Sequence, residues 1–212
     1  MTAKRNSQIG PLVVIALGFL VGAAAYPYLP IAALDNKLGL HLEVAFALPI
    51  AILVLHLLFR SLWRHDRIRT GNGAFEATYH AIVFRTMVFV FGMHALLMLA
   101  LTDAMDSFGS HTWGKRVVVV MFGLLFIAVG NLLPRTRPNI ALGLRTKRTL
   151  ANLQVWQQVH RVSGYVAVLF GAVTAIAALA VSRDLMGGVM SLTAVLGIIA
   201  VIVTYRRSSR LA

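Results

Sequence analysis

Seven histidines are the first residues in this 212-residue sequence whose type and spacing could hold a metal or a haem. His80 and His94 lie 14 positions apart, and 14 steps of about 100° bring a helix almost back to the same face. His41 and His56, 15 apart, could do the same on a neighbouring helix. Two antiparallel helices with histidines at two depths are the frame of a bis-histidine b-type cytochrome. The depths agree best for His56 and His80, because His41 falls outside its apolar run and His94 lies well inside its own. His56, His80 and His94 are thus candidate haem ligands, set against a simpler role as hydrogen-bonded interior histidines. Other chemistry is harder to build. The chain has no cysteine, so thiolate metal sites, disulfides and cysteine nucleophiles are excluded. It has no HExxH helix, no GxSxG elbow and no P-loop. Asp103 and Asp106 fall at a loop end, and the apolar runs hold essentially no acid for proton transfer or coupled transport. The expectation is a protein that is not an enzyme and carries no cofactor.

The elements that must position these residues are membrane-spanning helices. The sequence is 58% hydrophobic and only 13% charged, with a mean hydropathy of +0.79. A soluble domain carries about a quarter charged residues. Runs long enough to cross a bilayer occur at 11–29, 44–62, 80–101, 117–133, 162–181 and 188–205. The first follows Lys4 and Arg5 and ends near Ala23-Ala24-Ala25, as a cleaved leader does, but its apolar character continues through Leu29, Ile31 and Leu34. It is read as a retained span, kinked near Pro27 and Pro30. Gly71-Asn72-Gly73 and Gly187-Gly188 punctuate two junctions. The expected fold is an all-α integral membrane protein of six transmembrane helices in a single membrane domain, 1–212.

Charge then orients the bundle. Lys4 and Arg5, then Arg60, Arg64, Arg67 and Arg69, lie on one side. So do Arg135, Arg137, Arg145, Lys147, Arg148 and Arg161, and finally Arg206, Arg207 and Arg210. The alternate loops hold only Lys37, Lys115, Arg116 and Arg183. Cytoplasmic loops carry the excess of Lys and Arg, so both termini are expected in the cytoplasm. The formal charge of +13 therefore encodes orientation and attraction to anionic lipid headgroups, with no direct nucleic acid binding expected. Arg85 stands apart inside the third span, where it either snorkels to headgroups or pairs on an interior face with Glu76 or a partner's acid.

The least generic stretch is 130–164, GNLLPRTRPNIALGLRTKRTLANLQVWQQVHRVSG. Pro134 and Pro138 end the fourth helix, Asn139 tolerates a turn, and Gly143 frees the backbone before Arg145 and Thr146. Thr149 is placed as the N-cap of a short interfacial helix carrying Leu150, Leu153, Trp156 and Val159, with Trp156 as its anchor. Trp156 and His160 share a face, with Arg161 beside them. A basic loop that orients the chain and grips headgroups accounts for the charge; it does not account for so many turn-specific residues. Gly171, Ala175 and Ala178 read as close helix packing.

The order Gly130-Asn131, Pro134, Pro138-Asn139, Gly143, Arg145-Thr146, Thr149-Leu150, Trp156, His160-Arg161 and Gly164 resembles the signature of the SdpI family of bacterial multi-span proteins, named for an immunity protein against a secreted peptide toxin. The similarity spans helices 3–6, residues 78–212, while the N-terminal helix pair, 1–69, diverges and carries a short outer loop, 35–41. The resemblance implies toxin resistance at the membrane, with a peptide toxin as one partner. It also implies signal transduction through a cytoplasmic transcriptional repressor held at the membrane. On that basis Asn131, Pro134, Pro138, Asn139, Gly143, Arg145, Thr146, Trp156, His160 and Arg161 are the candidate binding residues of the signature loop. A haem-carrying redox protein, and a lipid or small-molecule binding or transport protein, stand as alternatives.

Overall fold

A computed structural model describes residues 2–29, 38–66, 73–102, 111–180 and 182–208. Among the described residues the α-helices, in chain order, are α1 Thr2–Ala25, α2 Leu38–His65, α3 Gly73–Leu101, α4 His111–Gly130, α5 Lys147–Ala151, α6 Leu153–Ala180 and α7 Arg183–Ser208. All but the five-residue α5 are long and apolar enough to cross a membrane, and the described residues contain no strand. The protein is a multi-span membrane protein. Its helices leave large apolar side chains outward along most of their length, among them Leu20, Leu57, Leu169, Ile176 and Leu192. Lipid is the solvent such surfaces require.

The expected spans are present, with shifted ends. The third span extends back to Phe75 and the fifth to Leu153, well before the Val162 that hydropathy alone marks. Pro27 lies in a 3-10 turn, Tyr26–Tyr28, that finishes the first span, whereas Pro30 lies outside the described residues. Pro11 and Pro49 are accommodated inside α1 and α2. The loops 30–37, 67–72 and 103–110, which hold the Gly71-Asn72 turn and Asp103 and Asp106, also lie outside the described residues.

Two compact units make up the chain. The first contains residues 1–58 and 86–118. Its core gathers Leu29, Ala45 and Met98, with Val21, Tyr26 and Phe46 packed against them. Gly22 brings α1 onto the Ala45 carbonyl of α2, where any Cβ would overlap. Phe46 stacks with Phe19 and Tyr26 at ring-centre distances of 6.1 and 6.5 Å. The packing is apolar, from helices whose backbones satisfy themselves.

The second unit contains residues 59–85 and 119–212. Its α4–α6 contact runs along two glycine pairs. A Cβ placed on Gly130 would lie 2.9 Å from the Gly164 carbonyl oxygen, and one on Gly123 would lie 2.6 Å from that of Gly171. The paired glycines are seven apart on each helix, two turns along one face, so the antiparallel backbones meet at both levels. Ala175 packs at the Gly123 level and Ala178 is fully buried, as close helix packing requires. Around Trp63, the rings of Tyr79, Phe75 and His80 lie 4.7, 5.5 and 5.6 Å away.

Arg85 follows neither of its expected roles: its guanidinium donates to the Ala128 carbonyl of α4. The cause lies at the end of α4. Leu132 N–H bonds the Val129 carbonyl at 2.9 Å, in a tightened last turn, so the Ala128 carbonyl loses the helical donor it would otherwise have. A cation at a helix C-terminus also meets the favourable end of the dipole.

Candidate functional site

The segment from Asn131 to Asn152 crosses from α4 to α6 with almost no regular structure, so each backbone N–H and C=O needs its own partner. Pro134, without an N–H, sits in the 3-10 turn Leu133–Arg135, and its ring is so close to Gly164 that a Cβ there would come within 2.8 Å. Thr136 closes that turn by donating its hydroxyl to the Leu133 carbonyl at 2.7 Å.

Trp156 is fully buried, and its indole N–H meets the carbonyl and hydroxyl oxygens of Thr136 at 3.1 and 3.2 Å. Its ring stacks on His160 with centres 3.9 Å apart and planes 14° from parallel. The expected interfacial anchor is thus an interior residue. An indole with a polar tip needs one acceptor, and Thr136 supplies it inside the fold. The boundary of the short helix also moves. Thr146, not Thr149, caps α5: Thr149 N–H bonds Thr146 Oγ1 at 3.1 Å and Thr146 N–H bonds Thr149 Oγ1 at 2.8 Å. Asn152 breaks the helix and caps α6, accepting from Gln154 and Val155 N–H at 2.8 and 3.2 Å. Leu153, Trp156 and Val159 therefore belong to the spanning helix α6.

His160 uses both ring nitrogens, one on the loop and one on its own helix. Nε2 accepts the Leu144 N–H at 2.9 Å, and Nδ1 donates to the Trp156 carbonyl at 2.8 Å. An accepting Nε2 requires the neutral ring with its proton on Nδ1. Gly143 lies directly over that nitrogen with φ +92°; a Cβ would overlap Nε2. Glycine is demanded twice, by the left-handed backbone and by the histidine above it.

Asn139, also fully buried, replaces a piece of secondary structure with one side chain. Its Oδ1 accepts from Ala141 and Leu142 N–H at 2.9 and 2.6 Å, while Nδ2 donates to the Arg137 and Leu142 carbonyls at 2.7 and 3.3 Å. The next peptide is gripped from both sides. Ile140 N–H bonds Asp66 Oδ2 at 3.0 Å, and the Arg145 guanidinium donates to the Ile140 carbonyl. Asp66, just past the end of α2, is a residue that sequence reasoning missed. The available signal was local: a lone acid within Arg-His-Asp-Arg-Ile-Arg, on the strongly cationic side of the chain.

Of the ten candidate binding residues, the loop thus joins Pro134, Asn139, Gly143, Thr146, Trp156 and His160 into one framework, which exposed Arg145 braces from outside through the Ile140 carbonyl. Pro138 is buried with them, while Asn131 and Arg161 are exposed. Arg135, Arg145, Lys147, Arg148 and Arg161 present a cationic outer surface. The histidines outside the loop are placed differently. His94 is buried in the first unit with Nε2 on the Gly18 carbonyl at 3.1 Å. His56 is nearly buried, and His80 sits between aromatic rings with Nε2 3.8 Å from Glu76. Among the described residues no three His, Asp or Glu side chains gather as a metal site would need.

One comparison with known proteins falls on this same region. Residues 135–206 match the SdpI/YfhL protein family, from the 3-10 turn through α7. The chain is also 24% identical over 180 residues to the immunity protein SdpI of Bacillus subtilis (strain 168), covering 82% of this chain and 81% of that protein. No solved structure matches it. With the loop framework and the last two spans inside the matched region, this part of the chain is similar to the SdpI/YfhL family.

Proposed function

We propose that the protein is an immunity-type membrane protein that acts without catalysis. In this reading both termini and the 131–152 loop face the cytoplasm of a bacterial plasma membrane. It shields that membrane from a secreted peptide toxin and holds an acidic cytoplasmic regulator on its loop. The observation that carries the docking role is the cationic surface of Arg145, Lys147 and Arg148, exposed on a loop whose turns are individually fixed by buried side chains. A flexible charge tether would attract an acidic surface without orienting it; a framed one presents its cations in a fixed pattern. The name of the Bacillus subtilis relative supports the protective role, and the Lys and Arg distribution supports the orientation.

The experiment pairs survival of a toxin-sensitive strain with a reporter for the genes adjacent to this one. Lys147→Glu with Arg148→Glu reverses exposed charge outside the buried framework. It should abolish reporter control and leave survival within about twofold, because protection is exerted in the membrane. Cysteines at Asn36 and Ser107 should react with an impermeant thiol reagent added outside intact cells, and cysteines at Asn72 and Ser209 should not. If the wild-type protein confers no survival against any toxin encoded nearby, and its deletion leaves the reporter unchanged, the immunity reading is wrong. Outside labelling at Asn72 would remove the loop from the cytoplasm and end the docking role.

A further inference from the structure

Beside the loop, the second unit contains a groove of about 440 Å³ formed by α4, α6, α7 and the loop. Phe126, Ser163, Phe170, Gly197 and Ile202 line it, and Leu144 reaches it from the loop. Apart from the Ser163 hydroxyl the named side chains are hydrocarbon, so the wall offers shape and almost no hydrogen bonding. Cations follow directly at its loop end. Arg145 is the residue after Leu144. Arg206 is four residues beyond Ile202, hence on the same face of α7 and one turn further along. Both arginines are exposed.

We propose that this groove binds one acyl chain of an anionic phospholipid whose headgroup is held by Arg145 and Arg206. The argument is one of charge complementarity. Bilayer chains are as apolar as the groove wall, so the wall alone cannot prefer one lipid over another. Arginines at the headgroup end can, because guanidinium matches phosphate in a forked geometry and favours anionic over zwitterionic lipid. Arg145 has donors to spare: one guanidinium N–H serves the Ile140 carbonyl, and five are present. A peptide helix fits less well. Spanning helices are about 10–12 Å across and about 30 Å long, roughly 2,400–3,400 Å³, several times the volume of the groove. A single chain with a charged end suits both the volume and the position of the cations. The bound lipid would then touch Leu144, whose N–H is held by His160, and so place a lipid sensor against the loop framework.

The test uses the full chain in phosphatidylcholine nanodiscs doped with phosphatidylglycerol or phosphatidylcholine, each carrying the same photoactivatable acyl chain. Crosslinked peptides are then mapped. The groove segments 163–170 and 197–202 should be labelled roughly fivefold more by the anionic lipid, and unlabelled phosphatidylglycerol should compete where phosphatidylcholine does not. Arg206→Gln should bring anionic labelling close to the zwitterionic level. Ala194→Trp, which fills the groove, should remove groove labelling and leave that of lipid-facing Leu17 and Leu20 on α1 intact. Equal labelling of the wild-type groove by both lipids overturns the proposal, and that arm stands even if a variant fails to accumulate. Groove labelling that persists in a folded Ala194→Trp protein overturns it too.

Discussion

The first unit and the loop end of the second are held together by different physics. Around Leu29, Ala45 and Met98 the contacts are apolar, and the helices that carry them satisfy their own backbones. Many side chains of similar volume would serve there. Between Asn131 and Thr146 the backbone is mostly irregular. Its N–H and C=O groups are matched one at a time by Thr136, Asn139, Asp66, Arg145, Thr149 and His160. Few substitutions keep such a bond at the same place. The family model's match, 135–206, takes in most of this loop, whose irregular backbone ties residue type to position more tightly than helix packing does.

The strongest test is at Gly143. Gly143→Ala would set a methyl group into His160 Nε2 and place a Cβ at φ +92°, so both the backbone and the Leu144 bond must yield. The left-handed backbone alone costs about 1–2 kcal/mol, and loss of a buried hydrogen-bonded group adds roughly 1–3 kcal/mol. Thermal unfolding of the detergent-solubilised variant should show the largest loss in the set. Adding His160→Ala should relieve the overlap without restoring wild-type stability. In the first unit, Leu12→Ala on the lipid face should change stability by no more than ~0.5 kcal/mol. A Gly143→Ala protein as stable as the Leu12→Ala control would break the contrast.

Next comes Asn139→Asp, a change of one group with little change in shape. The carboxylate keeps the acceptor for Ala141 and Leu142 N–H but sets an oxygen against the Arg137 and Leu142 carbonyls, where Nδ2 now donates. A fully buried acceptor facing acceptors should cost about 2–4 kcal/mol. Asn139→Ala loses all four bonds, including the two that Asp keeps, but buries no charge against the carbonyls and should be less harmful than Asp. The order of the two variants in the unfolding assay is the readout, and the reverse order would mean the amide nitrogen is not the group that matters.

How much of this was legible from sequence follows the same division. Six apolar runs identify the spans because run length and lipid thickness are directly related. Turn residues such as Pro134, Asn139 and Gly143 announce irregular backbone by type. Which side Trp156 faces was not legible: helical spacing puts it on a face with Val159 and His160, but it took Thr136, 20 positions earlier, to turn that face inward. Arg85 was obscure because its acceptor exists only once Leu132 has turned to Val129. The Thr149 cap was misplaced by three residues because Thr146 and Thr149 hold each other, and either could start a helix.

The smallest expected effect is at Asp66, and it separates a bond from a charge. Asp66 accepts the Ile140 N–H from 74 positions away in the chain, while Arg145 takes the carbonyl of the same residue. If the carboxylate acts only as an acceptor, Asp66→Asn can keep the bond through its Oδ1 and should cost ~1 kcal/mol or less. Asp66→Ala leaves the Ile140 N–H without its partner and should cost roughly 1–3 kcal/mol. If the negative charge itself holds the cationic loop in place, Asn should fall as far as Ala, and added salt should weaken the wild-type protein toward both. Hydrogen exchange at Ile140 gives the local answer: slow in the wild type, nearly as slow in Asp66→Asn, and fast in Asp66→Ala. The bond is polar and tied to one residue, yet its loss should remain smaller than that at Gly143, because it removes one acceptor and forces neither a steric overlap nor a left-handed side chain. If Asp66→Ala instead costs as much as Gly143→Ala, α2 is part of the loop's core support, and the line between generic helices and a residue-specific loop would have to be redrawn to include Asp66.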